Sequence, residues 1–406
     1  MERYTYITNG MYYDCLINKF VKSTNRLSSD VPDNLCRFTP IYTDEIIDNN
    51  IKRTRQQLIL SITEKCNFRC EYCVYYDQKY TNDFCLSNMS FDVAKKAIDE
   101  FLENSIHSDK RCISFYGGEP LMNFDLMREC VNYINSKNIT SKIEYLITTN
   151  GVLLTDEIAK FLYENRFYVN ISMDGTQRTH DRYRKLINGA GTYDIIINNL
   201  KHLIALDNNY WKDSLSFICV LAPPIDIDNI SNYFEALPYN FRLSGIDITQ
   251  HMQNKLDEQH YKPDNKKQTI YIQNRDRMNQ GINNEIRKAN QILRSMGANS
   301  FIRPGRYCIP SIKRTFVSVN GDYYICEKDD MHQNRIIGNV YSGIDINKIK
   351  SIRDEVGTFH EKNCKTCWAA RFCNMCFAVI DNYPEICNRI KTDTINIMKI
   401  IVESMK

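Results

Sequence analysis

The stretch LILSITEKCNFRCEYC, residues 58–73, joins an apolar, β-branched run to three closely spaced cysteines. Leu58 to Thr63 is typical of a buried parallel strand, so the cysteines would lie in the loop at its carboxyl end. In a β/α barrel that edge carries the reactive groups. Gaps of three and two residues separate Cys66, Cys70 and Cys73, and three such thiolates suit an iron–sulfur cube whose fourth iron stays open. The stretch therefore predicts a parallel α/β fold with a metal centre at its edge.

The composition limits the kind of protein that this chain can be. Its 406 residues carry 52 basic and 49 acidic side chains, a net charge of +3, which is too near neutrality to indicate nucleic acid as an obligatory partner. The length suffices for two or three domains with their own cores. The N-terminus lacks the layout of a secretory signal, and no apolar run approaches the roughly 18 residues that span a bilayer. We therefore expect a cytoplasmic protein without a membrane or nucleic-acid partner.

Sixteen cysteines require an explanation in such a compartment. A reducing cytosol disfavours structural disulfides, so clustered thiols there indicate metal binding or catalysis. Ten of the cysteines fall into tight groups. The six isolated ones are expected to pack as small hydrophobic residues, and they are Cys15, Cys36, Cys85, Cys112, Cys130 and Cys219.

From Leu58 to about Thr249 apolar strands alternate with amphipathic helical stretches, the pattern of a parallel α/β sheet. Six strands are predicted, at 58–63, 112–116, 143–148, 168–172, 215–221 and 241–248. No convincing helix follows the last one, so the expected fold class is α/β, a partial (β/α)6 barrel. The predicted domains are a leader at 1–55 with a β-hairpin around Asn9-Gly10 as a candidate peptide-recognition element, the barrel at 56–250, a polar connector at 251–306 and a cysteine-rich domain at 307–406.

Polar motifs follow the second, third and fourth predicted strands, at the same edge as the cysteines. Glycines let backbone carbonyls approach a ligand, a carboxylate complements an ammonium group, and a hydroxyl or guanidinium complements a carboxylate. Any of these residues could instead finish a strand or cap a helix. The motifs are SFYGGEP, ITTNG, ISMDG and THDRYR, and their candidate ligand-binding residues are Gly117, Gly118, Glu119, Pro120, Asn150, Ser172 and Arg184, with Arg182 as an equal alternative to Arg184.

The cysteine spacing resembles that of the radical S-adenosylmethionine (SAM) superfamily, in which an aromatic residue, Tyr72 in this sequence, precedes the last cysteine. The resemblance implies that SAM chelates the open iron of a 4Fe-4S cluster and that an electron from the cluster releases a 5′-deoxyadenosyl radical. It also implies that the GGEP segment meets the SAM amino group and that the later motifs hold its ribose and carboxylate. A zinc knuckle is the alternative, but zinc takes four ligands and no nearby His or Cys completes the set.

A second group of cysteines lies in the last hundred residues. It resembles the SPASM domain, an extension of radical SAM peptide maturases. The resemblance implies one closed auxiliary 4Fe-4S cluster on Cys364, Cys367, Cys373 and Cys387 and another on Cys308, Cys326 and Cys376, which makes three clusters in the chain. A zinc ribbon is the alternative, but it would place about 15 to 20 residues between its two cysteine pairs, whereas five separate Cys367 from Cys373.

The functional prediction depends on the auxiliary site that has only three cysteines. Sulfatase maturases carry a further cysteine a few residues before the position of Cys308, and this chain has none there. A thiolate of the substrate could therefore bind the open iron. We expect an anaerobic radical SAM oxidoreductase that joins a cysteine sulfur to a carbon in a ribosomally made peptide, as in sactipeptide or ranthipeptide maturation. The implied partners are a cysteine-containing precursor peptide and a flavodoxin- or ferredoxin-type electron donor.

Three alternatives to thioether formation stay open. Glu327 stands where sulfatase maturases carry an aspartate base, which makes it a candidate acid–base residue and keeps formation of Cα-formylglycine as one alternative. The same residue could be a solvated acid in the charged run EKDD. A different peptide crosslink, such as carbon to carbon, is the second alternative. A metal-stabilised peptide-binding module without redox chemistry is the third.

Overall fold

In the computed structural model the described residues are 3–15, 17–23, 42–73, 75, 86–137, 139, 142–222, 224, 226–245, 310–311, 313–327, 335–364, 367–373 and 383–404. They belong to two compact units. The smaller unit holds the described parts of Met1–Ile47 and Asn347–Lys406, and the larger unit holds those of Asp48–Pro263 and Pro310–Ile346. The predicted connector at 251–306 lies outside the described residues.

The described strands are β1 (Tyr4–Thr8), β2 (Met11–Asp14), β3 (Lys19–Lys22), β4 (Gln57–Thr63), β5 (Arg111–Gly117), β6 (Ile143–Thr149), β7 (Phe167–Ser172), β8 (Leu215–Leu221), β9 (Asn240–Gly245), β10 (Arg314–Val317), β11 (Asp322–Tyr324), β12 (Ile336–Asn339) and β13 (Gly343–Ile344). The described helices are α1 (Asp44–Arg53), α2 (Phe91–Glu103), α3 (Phe124–Ser136), α4 (Asp156–Glu164), α5 (Gln177–His180), α6 (Tyr193–Leu206), α7 (Asn208–Ser214), α8 (Ile227–Glu235), α9 (Ile346–Asn363) and α10 (Tyr383–Ser404). Within the described residues, no helix combines the length and the apolar character needed to cross a membrane.

The larger unit is built on one sheet with the strand order β13-β12-β11-β10-β4-β5-β6-β7-β8-β9. Strands β4 to β9 are parallel to one another, and helices lie in the connections between them. All six predicted strands are present, which confirms the α/β fold class and the partial barrel. On the other side of β4 the sheet continues with β10, which is parallel to it from Arg314↔Gln57 to Val317↔Leu60. The predicted domain boundaries stay a prediction.

The sheet has an apolar face beneath the helices and a more polar face opposite. Phe115 and Phe167 lie under the helices with ring centroids 6.0 Å apart, and Phe167 also meets Phe161 of α4. Both strand residues are fully buried, and burying such a ring contributes about 1.5–3 kcal/mol. Successive strand residues point to opposite faces, so Thr148 and Asn170, which are partly exposed, lie on the other face. That face ends at the edge where the cysteines are expected.

Side-chain caps explain where two of the helices begin. Ser90 Oγ accepts a hydrogen bond from the Val93 N–H at 3.3 Å at the start of α2. Thr155 Oγ1 accepts one from the Ile158 N–H at 3.4 Å at the start of α4. Each cap satisfies a backbone donor that the first helical turn leaves without a partner.

The smaller unit confirms the N-terminal hairpin and adds a strand to it. Asn9 and Gly10 adopt φ values of 50° and 73°, the left-handed pair that a tight hairpin turn requires. Strand β3 pairs antiparallel with β2, so the leader forms three strands where the sequence predicted two. Tyr13 of this sheet is fully buried in a cluster that includes Phe372 and residues of α10. The leader is therefore part of a packed core.

The isolated cysteines that the structure describes are mostly packed, as expected. Cys15, Cys130 and Cys219 are buried, and Cys112 is partly buried at the start of β5. Cys36 and Cys85 lie outside the described residues.

Candidate cofactor and metal site

The cysteine loop begins where β4 ends and is tied to the end of β5. The Gly118 N–H donates to the Thr63 carbonyl at 2.8 Å, and the Glu119 N–H donates to the Lys65 carbonyl at 2.8 Å. A Cβ on Gly117 would lie 2.1 Å from the Thr63 carbonyl oxygen, and one on Gly118 would lie 2.3 Å from that of Lys65. The sequence predicts that these glycines admit a ligand. The structure adds that they admit the backbone of the cysteine loop.

The three cysteines lie together at the carboxyl edge of the sheet. Cys70 is buried, and burial raises the pKa of its thiol, while Cys66 and Cys73 are partly exposed. The Phe68 N–H lies 3.4 Å from Cys66 Sγ and donates to it. Phe68 also forms a backbone bridge with Leu186, beyond β7. The loop is thus fixed on both sides, with one backbone donor directed at a sulfur.

The donor set of this loop fits an iron–sulfur cluster better than a single ion. Across the described part of the chain, no three His, Cys, Asp or Glu side chains are grouped closely enough to hold one metal ion. A cube binds each thiolate on a different iron, so its ligands stand further apart than those of zinc. A sulfur that accepts a backbone N–H is also stabilised as a thiolate. The arrangement therefore suits a cluster on Cys66, Cys70 and Cys73.

Glu119 lies beside this loop and accepts three hydrogen bonds from the protein. Its carboxylate accepts from the Leu121 N–H at 3.1 Å, the Thr149 hydroxyl at 2.6 Å and the Asn150 N–H at 2.7 Å. The side chain is 1% exposed, and burial raises its pKa to about 7. Pro120 is buried and begins the short 3-10 turn Pro120–Asn123. Glu119 thus joins the ends of β5 and β6, and its predicted contact with an ammonium group stays a prediction.

Asn150 connects the end of β6 to the cysteine loop. Its Nδ2 donates to Asn67 Oδ1 at 2.7 Å, and its Oδ1 accepts from the Val152 N–H at 3.1 Å. Because Asn67 directly follows Cys66, the amide pair fixes the loop next to its first cysteine. The structure brings Asn150 to the site, as the sequence predicts, but its side chain already has partners within the protein.

Arg184 is held next to Tyr72, the aromatic residue of the cysteine loop. The Arg184 Nε donates to Asp174 Oδ2 at 2.9 Å, and its guanidinium carbon lies 5.3 Å from the centroid of the Tyr72 ring. The Tyr72 hydroxyl donates to the same carboxylate oxygen of Asp174. Among the described residues, the two terminal nitrogens of Arg184 have no hydrogen-bond partner. They are therefore placed to meet an anionic ligand.

Ser172 and Arg182 differ in how they meet the site. Ser172 ends β7, is partly exposed, and its hydroxyl has no hydrogen-bond partner among the described residues. Arg182 donates through Nη1 to the Pro224 carbonyl at 2.8 Å and is more exposed than Arg184. The structure thus favours Arg184, which is buried beside the cysteine loop, over Arg182 as the guanidinium of this site.

The C-terminal cysteines are described only in part. Cys364 is buried, and the Cys367 N–H donates to its carbonyl at 3.1 Å in the turn that leads to Cys373. Cys387 lies on α10, where burial and the neighbouring Cys367 raise the pKa of its thiol. All four belong to the smaller unit. Cys308 and Cys376, predicted ligands of the other auxiliary cluster, lie outside the described residues.

Cys326 and Glu327 belong to the larger unit. Cys326 is partly exposed just after β11, and the Tyr75 hydroxyl donates to the Glu327 carbonyl at 3.1 Å. Tyr75 comes two residues after Cys73, so this contact ties the segment to the end of the cysteine loop. The Glu327 carboxylate accepts from Arg314 Nη2 at 2.7 Å. The predicted acid–base residue is therefore engaged in an ion pair.

Comparison with known proteins identifies the domain that carries this site. Residues 60–235 match the family model described as the radical SAM superfamily. These residues form a radical SAM domain. The match implies SAM and one 4Fe-4S cluster as cofactors of this domain, which indicates an enzyme. Its number of auxiliary clusters is not given by the match.

Curated relatives that match the radical SAM domain include a sulfatase-maturating enzyme and a cyclopropyl synthase. The chain is 32% identical over 200 residues to a cysteine-type anaerobic sulfatase-maturating enzyme of Clostridium novyi, which covers 47% of this chain and 50% of the relative. It is 26% identical over 267 residues to the radical SAM cyclopropyl synthase TigE of Paramaledivibacter caminithermalis, covering 61% and 52%. The chain spans about half the length of the curated relatives it matches.

Solved structures show the same fold at low identity. Native anSMEcpe with bound AdoMet has a TM-score of 0.55 and 21% identity, and the match covers 78% of this chain and 88% of that one. Streptococcus suis SuiB bound to precursor peptide SuiA has a TM-score of 0.57 and 16% identity, covering 83% and 75%. The chain thus shares its fold with these structures over most of its length.

Sequence reasoning missed the residues that connect the motifs of the radical SAM domain. Asp174 stands in the quoted ISMDG motif, yet nothing in the sequence separates it from a polar residue that ends a strand. Asn67, Thr149 and His180 lie within or beside the motifs and carry no signal of their own. Their roles depend on which loops the sheet brings together, and only the tertiary structure gives this.

Proposed function

We propose that the protein is a radical SAM maturase that forms thioether crosslinks in a ribosomally made, cysteine-containing peptide. The observation that carries the proposal is the cysteine loop at the carboxyl edge of β4, next to a buried guanidinium with two nitrogens left for an anion. The loop supplies three thiols for a cluster, and Arg184 supplies the charge that a SAM carboxylate needs. A metal-stabilised binding module would not require a guanidinium with unused N–H groups next to its metal site.

The residues of the site would have separate roles in binding the cluster and SAM. Cys66, Cys70 and Cys73 would hold the cluster, and the Arg184 guanidinium with the Ser172 hydroxyl would hold the SAM carboxylate. The GGEP segment would present backbone carbonyls and Glu119 to the SAM amino group. When bound, the cluster and SAM would supply a 5′-deoxyadenosyl radical that can remove a hydrogen atom from an unactivated carbon.

Two auxiliary clusters are part of the proposal. Cys364, Cys367, Cys373 and Cys387 would bind one, and their common location in the smaller unit, with the Cys367 N–H bonded to the Cys364 carbonyl, supports this set. Cys308, Cys326 and Cys376 would bind the other. With three protein ligands, that cluster has one iron left for the thiolate of the substrate cysteine.

Structural neighbours support a peptide as the substrate. One is described as SuiB bound to precursor peptide SuiA, and another as anSMEcpe with bound AdoMet and Cp18Cys peptide. A thioether forms when a C–H and an S–H bond break and a C–S bond is made. The hydrogen atom would leave to deoxyadenosine, the thiol proton to a base, and one electron to an auxiliary cluster. A flavodoxin- or ferredoxin-type donor would supply the electron that cleavage of SAM requires.

Anaerobic reconstitution followed by mass spectrometry tests the proposal. The holoprotein should bind about twelve irons, four for each cluster. With SAM, a reductant and a short cysteine-containing peptide sought among the neighbouring reading frames, it should produce deoxyadenosine and a peptide lighter by two hydrogens for each crosslink. Stoichiometric zinc with no charge-transfer absorption would refute the enzyme and favour a binding module.

Anaerobic sulfatase maturation is the second candidate function. The Clostridium novyi relative and the position of Glu327 favour it. The two functions predict different products, because a sulfatase maturase converts a cysteine of a sulfatase peptide to Cα-formylglycine. Carbon–carbon crosslinking would again remove two hydrogens but would leave the cysteine thiol open to alkylation, which distinguishes it from a thioether.

A further inference from the structure

A single buried carboxylate joins three segments of the site. Asp174, which is 4% exposed, follows β7. Its Oδ2 accepts from Arg184 Nε at 2.9 Å and from the Tyr72 hydroxyl, and its Oδ1 accepts from the Val220 N–H at 2.9 Å. The three donors come from the cysteine loop, the segment after α5 and the end of β8. Within the described part of the chain, Asp174 is the charged group that holds the Arg184 side chain in place.

A buried histidine fixes the backbone around this carboxylate. The Asp174 N–H donates to His180 Nδ1 at 3.2 Å, so the ring carries its hydrogen on Nε2. Burial and the Arg184 charge lower the pKa of His180 to about 3, which keeps the ring neutral. Its Nε2–H donates to Thr192 Oγ1 at 3.0 Å, and the Thr192 hydroxyl donates to the Arg184 carbonyl at 2.9 Å. The chain of bonds thus runs from Asp174 to the backbone of Arg184.

We propose that Asp174 is a positioning residue that sets the Arg184 guanidinium against Tyr72, so that its terminal nitrogens are ready for the carboxylate of SAM. His180 and Thr192 hold the two backbone ends of this arrangement. The inference rests on the proposed function, because it assumes SAM as the ligand of Arg184. It assigns to Asp174 and His180 a role in binding that needs no contact with SAM.

The physical reason is the conformational freedom of arginine. An unrestrained arginine side chain has many rotamers, and ordering them on binding lowers affinity. In this protein one carboxylate bond and the Tyr72 ring already restrict the side chain. The two terminal nitrogens of Arg184 keep their N–H groups for the ligand, since Asp174 accepts only from Nε. Loss of this restraint should weaken SAM binding by about tenfold, on the order of the rotamer freedom that an arginine carries.

The test measures SAM binding rather than turnover. We would reconstitute holoprotein without oxygen and measure the SAM dissociation constant by equilibrium dialysis. In parallel, the electron paramagnetic resonance spectrum of the reduced protein would be recorded with and without SAM. Asp174→Asn keeps an acceptor for the Val220 N–H but turns an amide N–H toward Arg184. We expect about tenfold weaker binding and a smaller spectral change on adding SAM.

A matched control separates positioning from stability. Arg3 and Asp14 form another buried ion pair, at 2.9 Å in the smaller unit. Asp14→Asn should destabilise the protein comparably but leave the SAM dissociation constant and the spectrum unchanged. If Asp14→Asn weakened SAM binding as much as Asp174→Asn, the effect would be one of stability and the inference would be wrong.

Two milder variants cover the case in which Asp174→Asn does not fold. Tyr72→Phe removes only the hydroxyl that binds Asp174, and Thr192→Val removes only the hydroxyl that binds His180 and the Arg184 carbonyl. Both should weaken SAM binding, whereas Thr192→Ser should retain the wild-type affinity. Wild-type affinity in Asp174→Asn, or in both milder variants, overturns the inference. A wild-type holoprotein with three clusters that binds no SAM would overturn the proposed function itself.

Discussion

Replacing Gly118 with alanine should displace the cysteine loop and cost measurable stability. The added Cβ would lie 2.3 Å from the Lys65 carbonyl oxygen and 2.7 Å from that of Glu64. Both atoms belong to backbone, so no side chain can swing away to relieve the contact. Gly118 has no left-handed φ, and the cost is therefore one of space rather than of backbone conformation.

The magnitude follows from the distances. Opening the contact from 2.3 Å to the 3.0 Å below which real Cβ atoms are not found requires a separation of about 0.7 Å. The two bonds that join these segments are 2.8 Å long, and the same displacement would stretch them to about 3.5 Å, where a hydrogen bond is nearly lost. At about 1 kcal/mol for each bond, Gly118→Ala should lower the free energy of unfolding by about 2 kcal/mol.

Urea denaturation of iron-free protein measures this change, and Gly357→Ala is its matched control. Gly357 lies inside α9, and a Cβ there would meet nothing within 4 Å. The same substitution should therefore raise the stability, by about 0.5–1 kcal/mol, because glycine is a poor helix former. After reconstitution, Gly118→Ala should also retain less iron than the control. Equal stability and equal iron in Gly118→Ala and the wild type would refute the reasoning.

Three further predictions concern single side chains. Burial raises the pKa of Glu119 from 4.5 to about 7. Its contribution to the free energy of unfolding should therefore be present below about pH 4.5 and lost as the pH rises through 7. Glu119→Gln should remove this pH dependence of the unfolding free energy in urea titrations at pH 4.5 to 7. Cys387→Ala should lower the iron content of the holoprotein by about four, whereas Cys130→Ala, a buried cysteine of α3, should not change it. If Glu327 acts as a base, Glu327→Gln should stop crosslinking while deoxyadenosine still forms. Arg314→Gln removes the ion-pair partner and should preserve the crosslinked product. An equal loss of crosslinked product in both variants would show that only their ion pair matters.

The sequence predicts most of the strands from two local signals. Most strands of the partial barrel are apolar or alternating runs, and a polar motif follows four of the six, β4 to β7, at the carboxyl edge. The run Leu58 to Thr63 ends three residues before Cys66, so strand and site are found together. The hairpin at Asn9 and Gly10 is predicted for an equally local reason, since the turn needs left-handed backbone. Such features depend on neighbouring residues alone.

The bonds between motifs are not local, and the sequence does not predict them. Tyr72 and Asp174 are 102 residues apart, and each occupies a motif that could be explained without the other. Strand β10 pairs with β4, although the sequence assigned it to a separate cysteine-rich domain. Both pairings depend on the order of strands in the sheet. An apolar run shows that a strand is buried but does not show which neighbour it meets.

The edge of the sheet is organised by two buried carboxylates rather than by apolar packing. Glu119 joins the end of β5 to Asn150 after β6, and Asp174, after β7, joins Val220 of β8 to Tyr72 in the cysteine loop. Burying a charge costs several kcal/mol unless donors surround it, and apolar residues of similar size would often serve stability as well. Apolar contacts, however, have no direction, whereas each carboxylate bond fixes a donor in place. The same-size amide variants should therefore disturb cofactor binding more than they disturb the fold, and the site should be more sensitive to lost charge than to lost volume.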